Sequence, residues 1–144
     1  MATERSATTT WRGDLMTGEG TIDEVPSGAF GPLDVSWASR AEEPEGKTSP
    51  EELIAAAHSA CFAMALSHGL AGEGTPAEEL RTSATVTFVP GTGITSIALA
   101  VEGRVPGIDE AAFRTAAEAA KEGCPVSTAL AAVPEITLDA RLAG

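Results

Sequence analysis

The chain has 144 residues, which is enough for one domain, 1–144, that buries roughly 68–70% of its unfolded surface and needs no disulfide staples. Its formal net charge of −12 repels polyanions, so nucleic acids and anionic membrane surfaces are excluded as default partners. Aromatic residues make up only 4% of the chain and tyrosine is absent, so the core must be built mainly from Ala, Val, Leu and Ile.

The cysteine count and the N-terminal sequence favour a cytoplasmic location. The chain has 2 cysteines, Cys61 and Cys124, whereas small secreted frameworks usually carry more. The N-terminal region lacks an apolar stretch of signal-peptide length, and no window reaches ~18 consecutive apolar residues. We therefore expect no signal peptide and no membrane span, and we expect residues 1–7 to form a poorly ordered polar leader.

The first part of the chain is predicted to form short strands. Two β-prone runs, 8–14 and 18–25, are separated by glycine and suit a hairpin. A third strand is expected over Leu33–Ser39. The charged stretch 40–48 is broken by proline and glycine, which predicts a surface loop.

The strongest helix signal begins at Ser49. Ser49 can cap the helix, Pro50 fits its first position, and Glu52 completes a Ser-x-x-Glu capping box. The segment Leu53–Leu70 is apolar nearly all round and has no Lys, Arg, Asp or Glu. We therefore expect a central helix that is enclosed on every side and shared with a partner subunit.

The rest of the chain alternates between strand and helix signals. The predicted elements are a hairpin of Leu80–Val89 and Ile94–Val101, a helix over Asp109–Lys121, a short helical segment over Cys124–Leu130, and a last strand over Glu135–Ala140. Strands and helices come in blocks rather than in strict alternation. The fold class is therefore α+β with a mainly antiparallel sheet.

The two cysteines allow two interpretations. A thiol inside an apolar helix is, by base rates, a small buried hydrophobe. Two thiols in a reducing compartment also suggest a redox pair, in which one is oxidised to sulfenic acid and the other condenses with it to a disulfide. Cys124 precedes Pro125 at a helix start, where backbone N–H groups favour a thiolate. Cys61 needs a nearby cation to ionise in apolar surroundings.

Arg40, just before the long helix, is the candidate cation, and Glu51 could hold its guanidinium in a bidentate pair. The alternatives are a solvated arginine and a glutamate that only favours the helix dipole. Glu51 and Cys61 lie ten residues apart, which is about 15 Å along one helix, so they cannot meet within one subunit. If two such helices lie antiparallel in a homodimer, Arg40 and Glu51 of one copy can reach Cys61 of the other.

His58 lies three residues before Cys61 and shares its helix face. It is either an auxiliary base or hydrogen-bond partner of the thiol, or a satisfied core residue. The histidines and cysteines match no zinc spacing, and the glycine-rich pieces lack the context of a phosphate loop. We expect neither a metal nor a nucleotide.

Four segments carry longer motifs. They are SPEELIAAAHSACFAMAL at 49–66, VPGIDEAAFRTAAEAAKEGCPVSTAL at 105–130, WRGDLMTGEGT at 11–21, and EITLDARL at 135–142. The first two resemble the two signatures of the OsmC/Ohr family of thiol-dependent hydroperoxide reductases, and the other two fit as well. The resemblance covers almost the whole chain.

The same residues resemble the OsmC-like subgroup. Ohr proteins place the catalytic arginine in the early glycine-rich loop, and the corresponding run Thr17–Gly20 has none. An arginine ahead of the central helix, together with His58 and Cys124–Ser127, fits the OsmC pattern. The fold that the resemblance implies is an OsmC-like α+β fold with two long helices, in an intertwined homodimer whose active sites lie between subunits.

By similarity, Cys61 is the peroxidatic cysteine and Cys124 the resolving one, while Glu51 and Arg40 activate Cys61 and orient the peroxide. The implied function is reduction of organic hydroperoxides, and less well hydrogen peroxide, in oxidative and osmotic stress defence. Apolar residues around Cys61, namely Phe62, Met64 and Leu66, would favour organic substrates. No bound cofactor is implied, only an external dithiol, of dihydrolipoyl type in some members. The alternatives are a non-catalytic stress-induced binding protein and a structural dimer of the same fold.

Overall fold

The computed structural model describes residues 1–143, which contain both strands and helices and confirm the α+β class. In chain order the elements are β1 (Thr8–Arg12), β2 (Glu19–Glu24), β3 (Leu33–Val35), α1 (Trp37–Ala41), α2 (Pro50–Gly72), β4 (Glu79–Val89), β5 (Gly93–Arg104), α3 (Glu110–Gly123), α4 (Pro125–Ala129) and β6 (Glu135–Leu142). The chain divides into two compact units, Met1–Leu53 and the residues from Ile54 onward.

The first unit contains an antiparallel sheet with the strand order β1-β2-β3. Strands β1 and β2 form the predicted hairpin, in which Trp11 lies opposite Gly20. Strand β3 ends at Val35, so the predicted strand to Ser39 is wrong beyond that point. The reason is local: the Ser36 and Ser39 side chains each accept a hydrogen bond from the other's backbone N–H, and this capping box starts helix α1.

Helix α2 begins at Pro50, as the sequence predicts. The Ser49 hydroxyl accepts a hydrogen bond from the Glu52 backbone N–H at 3.1 Å, which is the first half of the predicted capping box. The Glu52 carboxylate accepts a hydrogen bond from the Thr48 hydroxyl at 2.8 Å. These contacts satisfy part of the helix N-terminus and fix where the helix starts.

The burial of α2 within one chain is limited to one face. In the second unit its fully buried side chains form one stripe, His58, Phe62, Leu66 and Leu70, whereas Met64 is 72% exposed. Within one chain only this face is covered, because residues four apart share one face, and the enclosure that a partner subunit would complete stays a prediction. By length and hydropathy the helix could also cross a membrane. These two criteria do not distinguish a span from a helix that another surface covers, so the absence of a span stays a prediction.

The sheet of the second unit has the strand order β4-β5-β6. Strands β4 and β5 form the predicted antiparallel hairpin, with Ala84 opposite Leu99. Strand β6 pairs with β5 in parallel, with Leu138 beside Leu99. Parallel neighbours need a crossover connection, and α3 with α4 provides it between these two strands. The prediction of a mainly antiparallel sheet is confirmed, with the pairing of β5 and β6 as the parallel exception among these strands.

The core of the second unit lies between this sheet and the helices α2 and α3. Its largest fully buried apolar side chains are Phe62 and Phe113, joined by Leu66, Leu70, Ile97 and Leu99. The predicted alternation of inward residues along β4 and β5 is confirmed, since every second residue of β4 is partly buried. Burial of such side chains contributes about 1.5–3 kcal/mol each to the free energy of folding.

Gly103 is a point of close packing in this core. A Cβ atom at Gly103 would lie 2.5 Å from the Phe113 ring, too close to be accommodated without movement. We expect Gly103→Ala to lower the free energy of unfolding by about 1–3 kcal/mol through overpacking. Chemical denaturation would measure it against Gly123→Ala, where the added Cβ meets no atom within 4 Å. Equal stability of the two variants would contradict this packing.

Cys124 lies at the junction between α3 and α4. Helix α3 starts with Asp109, whose carboxylate accepts a hydrogen bond from the Ala112 backbone N–H at 2.8 Å. Cys124 ends α3 and also precedes α4, with an extended backbone and Pro125 at the first helical position. Proline cannot continue α3 but fits the start of a new helix, so the chain turns at Cys124.

Candidate active site

Arg40 and Glu51 form a bidentate pair in the first unit, in which Glu51 is buried and Arg40 is half-buried. The Arg40 Nε donates to Glu51 Oε1 at 3.0 Å, and Nη2 donates to Oε2 at 2.9 Å. The Glu51 residue is only 7% exposed. Two parallel charge-assisted hydrogen bonds fix the guanidinium plane as well as its position. The structure thus contains the pair that the sequence suggested, whereas the catalytic role of the pair stays a prediction.

Helix α1 positions Arg40, which lies in its last turn rather than in the predicted surface loop. The loop prediction is wrong for this residue because the serine capping box extends helical structure to Ala41. The Ser39 hydroxyl donates to the Thr48 carbonyl at 3.2 Å, which ties α1 to the residues just before α2. This tie holds Arg40 beside the first turn of α2, where Glu51 lies.

Cys61 and Cys124 meet in the second unit. Both are free thiols; Cys61 lies half-buried in the middle of α2, and Cys124 is fully buried at the start of α4. The two side chains lie close enough together for each thiol to shift the pKa of the other. The sequence predicted a functional pair without evidence of proximity, and the tertiary structure brings the two thiols into contact.

The surroundings of the two thiols differ. Burial raises the pKa of the Cys61 thiol, and the hydrogen bond with Cys124 raises it further. Burial also acts to raise the pKa of Cys124, but hydrogen bonds from the Cys61 thiol, from the Val126 and Ser127 backbone N–H groups and from the Ser127 side chain together lower it. In the reduced chain the negative charge is therefore favoured on Cys124 and the proton on Cys61.

His58 contacts Ser127 in the interior. Its Nε2 lies 2.7 Å from the Ser127 hydroxyl oxygen, and the residue is fully buried. Among residues 1–143 its Nδ1 has no hydrogen-bond partner. The sequence motifs include Ser127 in the run Cys124–Ser127, but they did not predict its contact with His58. Its only local signal is the Cys-x-x-Ser spacing, which places the hydroxyl one helical turn after Cys124.

The buried His58 gives folding a pH dependence. Burial lowers the pKa of its imidazole below the usual 6.5. Below pH ~6.5 the unfolded chain gains a proton that the folded chain does not, so the free energy of unfolding should fall by up to about 1.4 kcal/mol per pH unit. Above that pH the group adds no dependence. Denaturation at about pH 7.5 and about pH 5.5 would measure this loss.

Each histidine can be tested separately, since the chain has 2. His58→Gln should remove the loss of stability at acid pH, because an amide does not titrate. His68→Gln changes an exposed residue and should keep the wild-type dependence. If His58→Gln retained the wild-type slope, another group would be responsible.

The residues expected to form an apolar substrate lining are not grouped in one chain. Phe62 and Leu66 are fully buried in the core of the second unit, whereas Met64 is largely exposed. Helical geometry explains the difference, because Met64 lies on another face of α2. Among residues 1–143, no group of three His, Cys, Asp or Glu side chains is placed to hold a metal ion.

Comparison with known proteins gives the family. A family model described as OsmC-like protein matches residues 43–139. Peroxiredoxin OsmC of Escherichia coli strain K12 is 44% identical over 135 residues, covering 92% of each sequence. The organic hydroperoxide resistance protein OhrB of Bacillus subtilis aligns with a TM-score of 0.64 at 25% identity, over 96% of this chain and 98% of that one.

A second solved structure supports the fold alone. The OsmC-like protein of Mycoplasma pneumoniae aligns over 100% of both chains with a TM-score of 0.74, at 15% identity. The resemblance found in the sequence motifs is confirmed: the chain belongs to the OsmC-like family and is a cysteine-based peroxidase.

Proposed function

We propose that the chain reduces organic hydroperoxides to alcohols, with Cys61 as the attacking thiolate and Cys124 as the resolving thiol. The observation that carries this proposal is the contact between the two free cysteines. Because the two thiols are neighbours that shift each other's pKa, a disulfide needs only a short movement of the sulfur atoms. Two cysteines that served only as apolar core residues would have no need to lie next to each other.

The first step makes an alcohol and a sulfenic acid. The Cys61 thiolate attacks the distal oxygen of the hydroperoxide, so that an S–O bond forms and the O–O bond breaks. The alkoxide leaves and takes up a proton to become the alcohol. Two electrons pass from the sulfur to the peroxide.

The second step forms the disulfide. The Cys124 thiolate attacks the sulfenic sulfur of Cys61; the S–S bond forms, the S–O bond breaks, and the leaving hydroxide becomes water with the proton that Cys124 released. An external dithiol then exchanges with the disulfide and is itself oxidised, which restores both thiols. We propose a dihydrolipoyl-type dithiol and no bound cofactor.

Activation of Cys61 requires a cation, because its contacts within one chain raise its pKa. We propose that Arg40 of a second copy supplies this charge in a homodimer. Glu51 supports this role, since it fixes the orientation of the guanidinium through two hydrogen bonds. A positive charge held in a water-poor site stabilises a thiolate far more than it would in water.

The proposed substrate class follows from the apolar character of α2. The helix has no charged side chain beyond its first turn, and it leaves Met64 exposed within one chain. An alkyl or acyl chain that contacts such a surface gains binding free energy from the burial of apolar area, whereas hydrogen peroxide has no apolar area to bury. We therefore propose a preference for organic hydroperoxides in a cytoplasmic setting of peroxide stress.

The test is consumption of cumene hydroperoxide and of hydrogen peroxide by the wild-type protein with a dithiol reductant. The proposal predicts a higher kcat/KM for cumene hydroperoxide and formation of one alcohol per peroxide consumed. Equal rates would contradict the substrate preference. No consumption above the dithiol alone would favour a non-catalytic binding or structural role.

A further inference from the structure

His58 and Ser127 form a polar contact in an otherwise apolar region, and the proposed cycle does not use it. The two residues are 69 positions apart, and their side chains meet at 2.7 Å in the core of the second unit. His58 is 0% exposed and Ser127 is 8% exposed. Burying an imidazole and a hydroxyl costs free energy unless they are paired, and apolar residues of similar size would avoid that cost.

The tautomer of His58 follows from its two ring nitrogens. Burial keeps the ring neutral by lowering its pKa, so one nitrogen carries a hydrogen and the other does not. Nδ1 has no partner among residues 1–143. A buried N–H without an acceptor is costlier than an unpaired lone pair, so the hydrogen belongs on Nε2. His58 therefore donates to the Ser127 oxygen.

This direction determines what the Ser127 hydroxyl can do. Its oxygen accepts from His58, so its own hydrogen is free to be donated elsewhere. The nearest acceptor is the Cys124 sulfur, since Ser127 lies one helical turn after Cys124 at the start of α4 and its side chain lowers the pKa of that thiol. A hydroxyl donating to sulfur stabilises the thiolate more than the thiol, since hydrogen bonds to charged acceptors are the stronger ones.

We propose that His58 and Ser127 form a two-bond relay, from His58 Nε2–H to the Ser127 oxygen and from the Ser127 O–H to Cys124 Sγ, that prepares Cys124 for the resolving step. Ser127 donates to a reacting atom, and His58 is a positioning residue that acts through Ser127. The inference rests on the proposed function, because it assigns the relay to the attack of Cys124 on a Cys61 sulfenic acid.

The relay explains how the charge passes from one thiol to the other. Before oxidation, Cys61 must carry the charge in order to attack the peroxide. Once Cys61 is a sulfenic acid, the charge is needed on Cys124, and the Ser127 hydroxyl remains in place to stabilise it there. The S–S bond then forms as the S–O bond breaks, and the proton that Cys124 released leaves with the hydroxide as water.

The titratable groups nearest to this contact lie on α2 and at the end of α3, where Lys121 and Glu122 line the same pocket as Ser127. From α2 the neighbours are Cys61 and His58. At the end of α3, Lys121 has its ammonium on the Ile136 carbonyl at 3.5 Å and on the Glu118 carboxylate at 3.4 Å. Comparison of variants that all keep Lys121 and Glu122 therefore isolates the effect of the relay on the pH dependence of Cys124.

The resolving step can be measured by itself. Reduced protein is mixed with one equivalent of cumene hydroperoxide, quenched at intervals and alkylated. Intact-protein mass spectrometry then distinguishes the sulfenic acid from the disulfide. We expect Ser127→Ala and His58→Leu to slow disulfide formation by about tenfold. The rate at which the first peroxide is consumed should not fall below the wild-type value, because Cys124 then competes less with Cys61 for the negative charge.

Conservative and control variants separate a relay from a packing role. Ser127→Thr keeps the hydroxyl, and His58→Gln keeps a donor near the Nε2 position, so both should restore most of the resolving rate. The matched control is Thr128→Val in the same helix. The Thr128 hydroxyl binds the Cys124 carbonyl at 3.4 Å, not the sulfur, so this variant should resolve at the wild-type rate.

A second readout does not depend on turnover. In Cys61→Ser protein, ultraviolet thiolate absorbance against pH reports Cys124 alone, and adding Ser127→Ala should raise its midpoint by about one pH unit. An unchanged midpoint and an unchanged resolving rate would overturn the relay. Absence of peroxide consumption by wild type would instead overturn the proposed function, and the titration would still decide whether the relay exists.

Discussion

Replacing Cys61 with serine is expected to lower kcat/KM for cumene hydroperoxide by about a thousandfold or more, because the hydroxyl that replaces the thiol is not ionised near neutral pH. The fold should survive, since Cys61 is only half-buried and serine is close to it in size. Peroxide consumption in the presence of a dithiol, with a thermal melt as the folding control, would measure both. A variant that kept the wild-type rate would contradict the assignment of Cys61 as the nucleophile.

Cys124→Ser is the matched variant, and its expected behaviour is different. It should consume about one equivalent of peroxide per subunit in a fast first turnover and then slow down, because the sulfenic acid on Cys61 has no internal thiol to resolve it. With excess peroxide, Cys61 should gain a second oxygen, which intact mass would detect. If both serine variants had the same kinetics, the cysteines would not have distinct roles.

Mixing two inactive variants is expected to restore activity if the site lies between subunits. Glu51→Ala should lose about a hundredfold in kcat/KM, because it releases the half-buried guanidinium of Arg40 from its two hydrogen bonds. Cys61→Ser lacks the nucleophile. In a heterodimer of the two, one site combines an intact Cys61 with an intact Arg40–Glu51 pair from the other copy.

The activity expected after subunit exchange is a fixed fraction of the wild-type activity. After random exchange of equal amounts, about half of the dimers are mixed and each has one of two sites intact, so activity should approach about a quarter of wild type. Mixing Cys61→Ser with Cys124→Ser is the control, since both cysteines of a site come from the same chain in this structure. Activity no higher than the sum of the separate variants would place the complete site in a single subunit.

Local signals account for most of the secondary structure that the sequence predicts correctly. Ser49 and Pro50 mark the start of α2, and alternation identifies β4 and β5, because a cap or a strand face is defined by residues within a few positions of one another. The wrong prediction of a strand after Val35 also has a local origin. The hydrogen bonds of the Ser36–Ser39 capping box start helix α1 within a run of β-prone residues.

Contacts between residues far apart in sequence are not specified by local sequence patterns. Strand β6 lies parallel to β5 because α3 carries the chain back across the sheet, a path that alternation alone does not specify. The contact of His58 with Ser127 also depends on where α4 packs against α2. The sequence analysis identified His58 from its helix face but could not identify its partner.

By itself, the sequence determined the family, the α+β class, the two candidate thiols and the Arg40–Glu51 pair, because motifs, caps and residue types are carried by short segments of chain. The tertiary structure decided which groups are neighbours: it placed Cys61 beside Cys124, put the lower pKa on Cys124, and brought a buried histidine into contact with Ser127, one helical turn after Cys124. The physical reason is that a thiol's pKa depends on burial and on hydrogen bonds from neighbouring elements, and only packing brings those elements together.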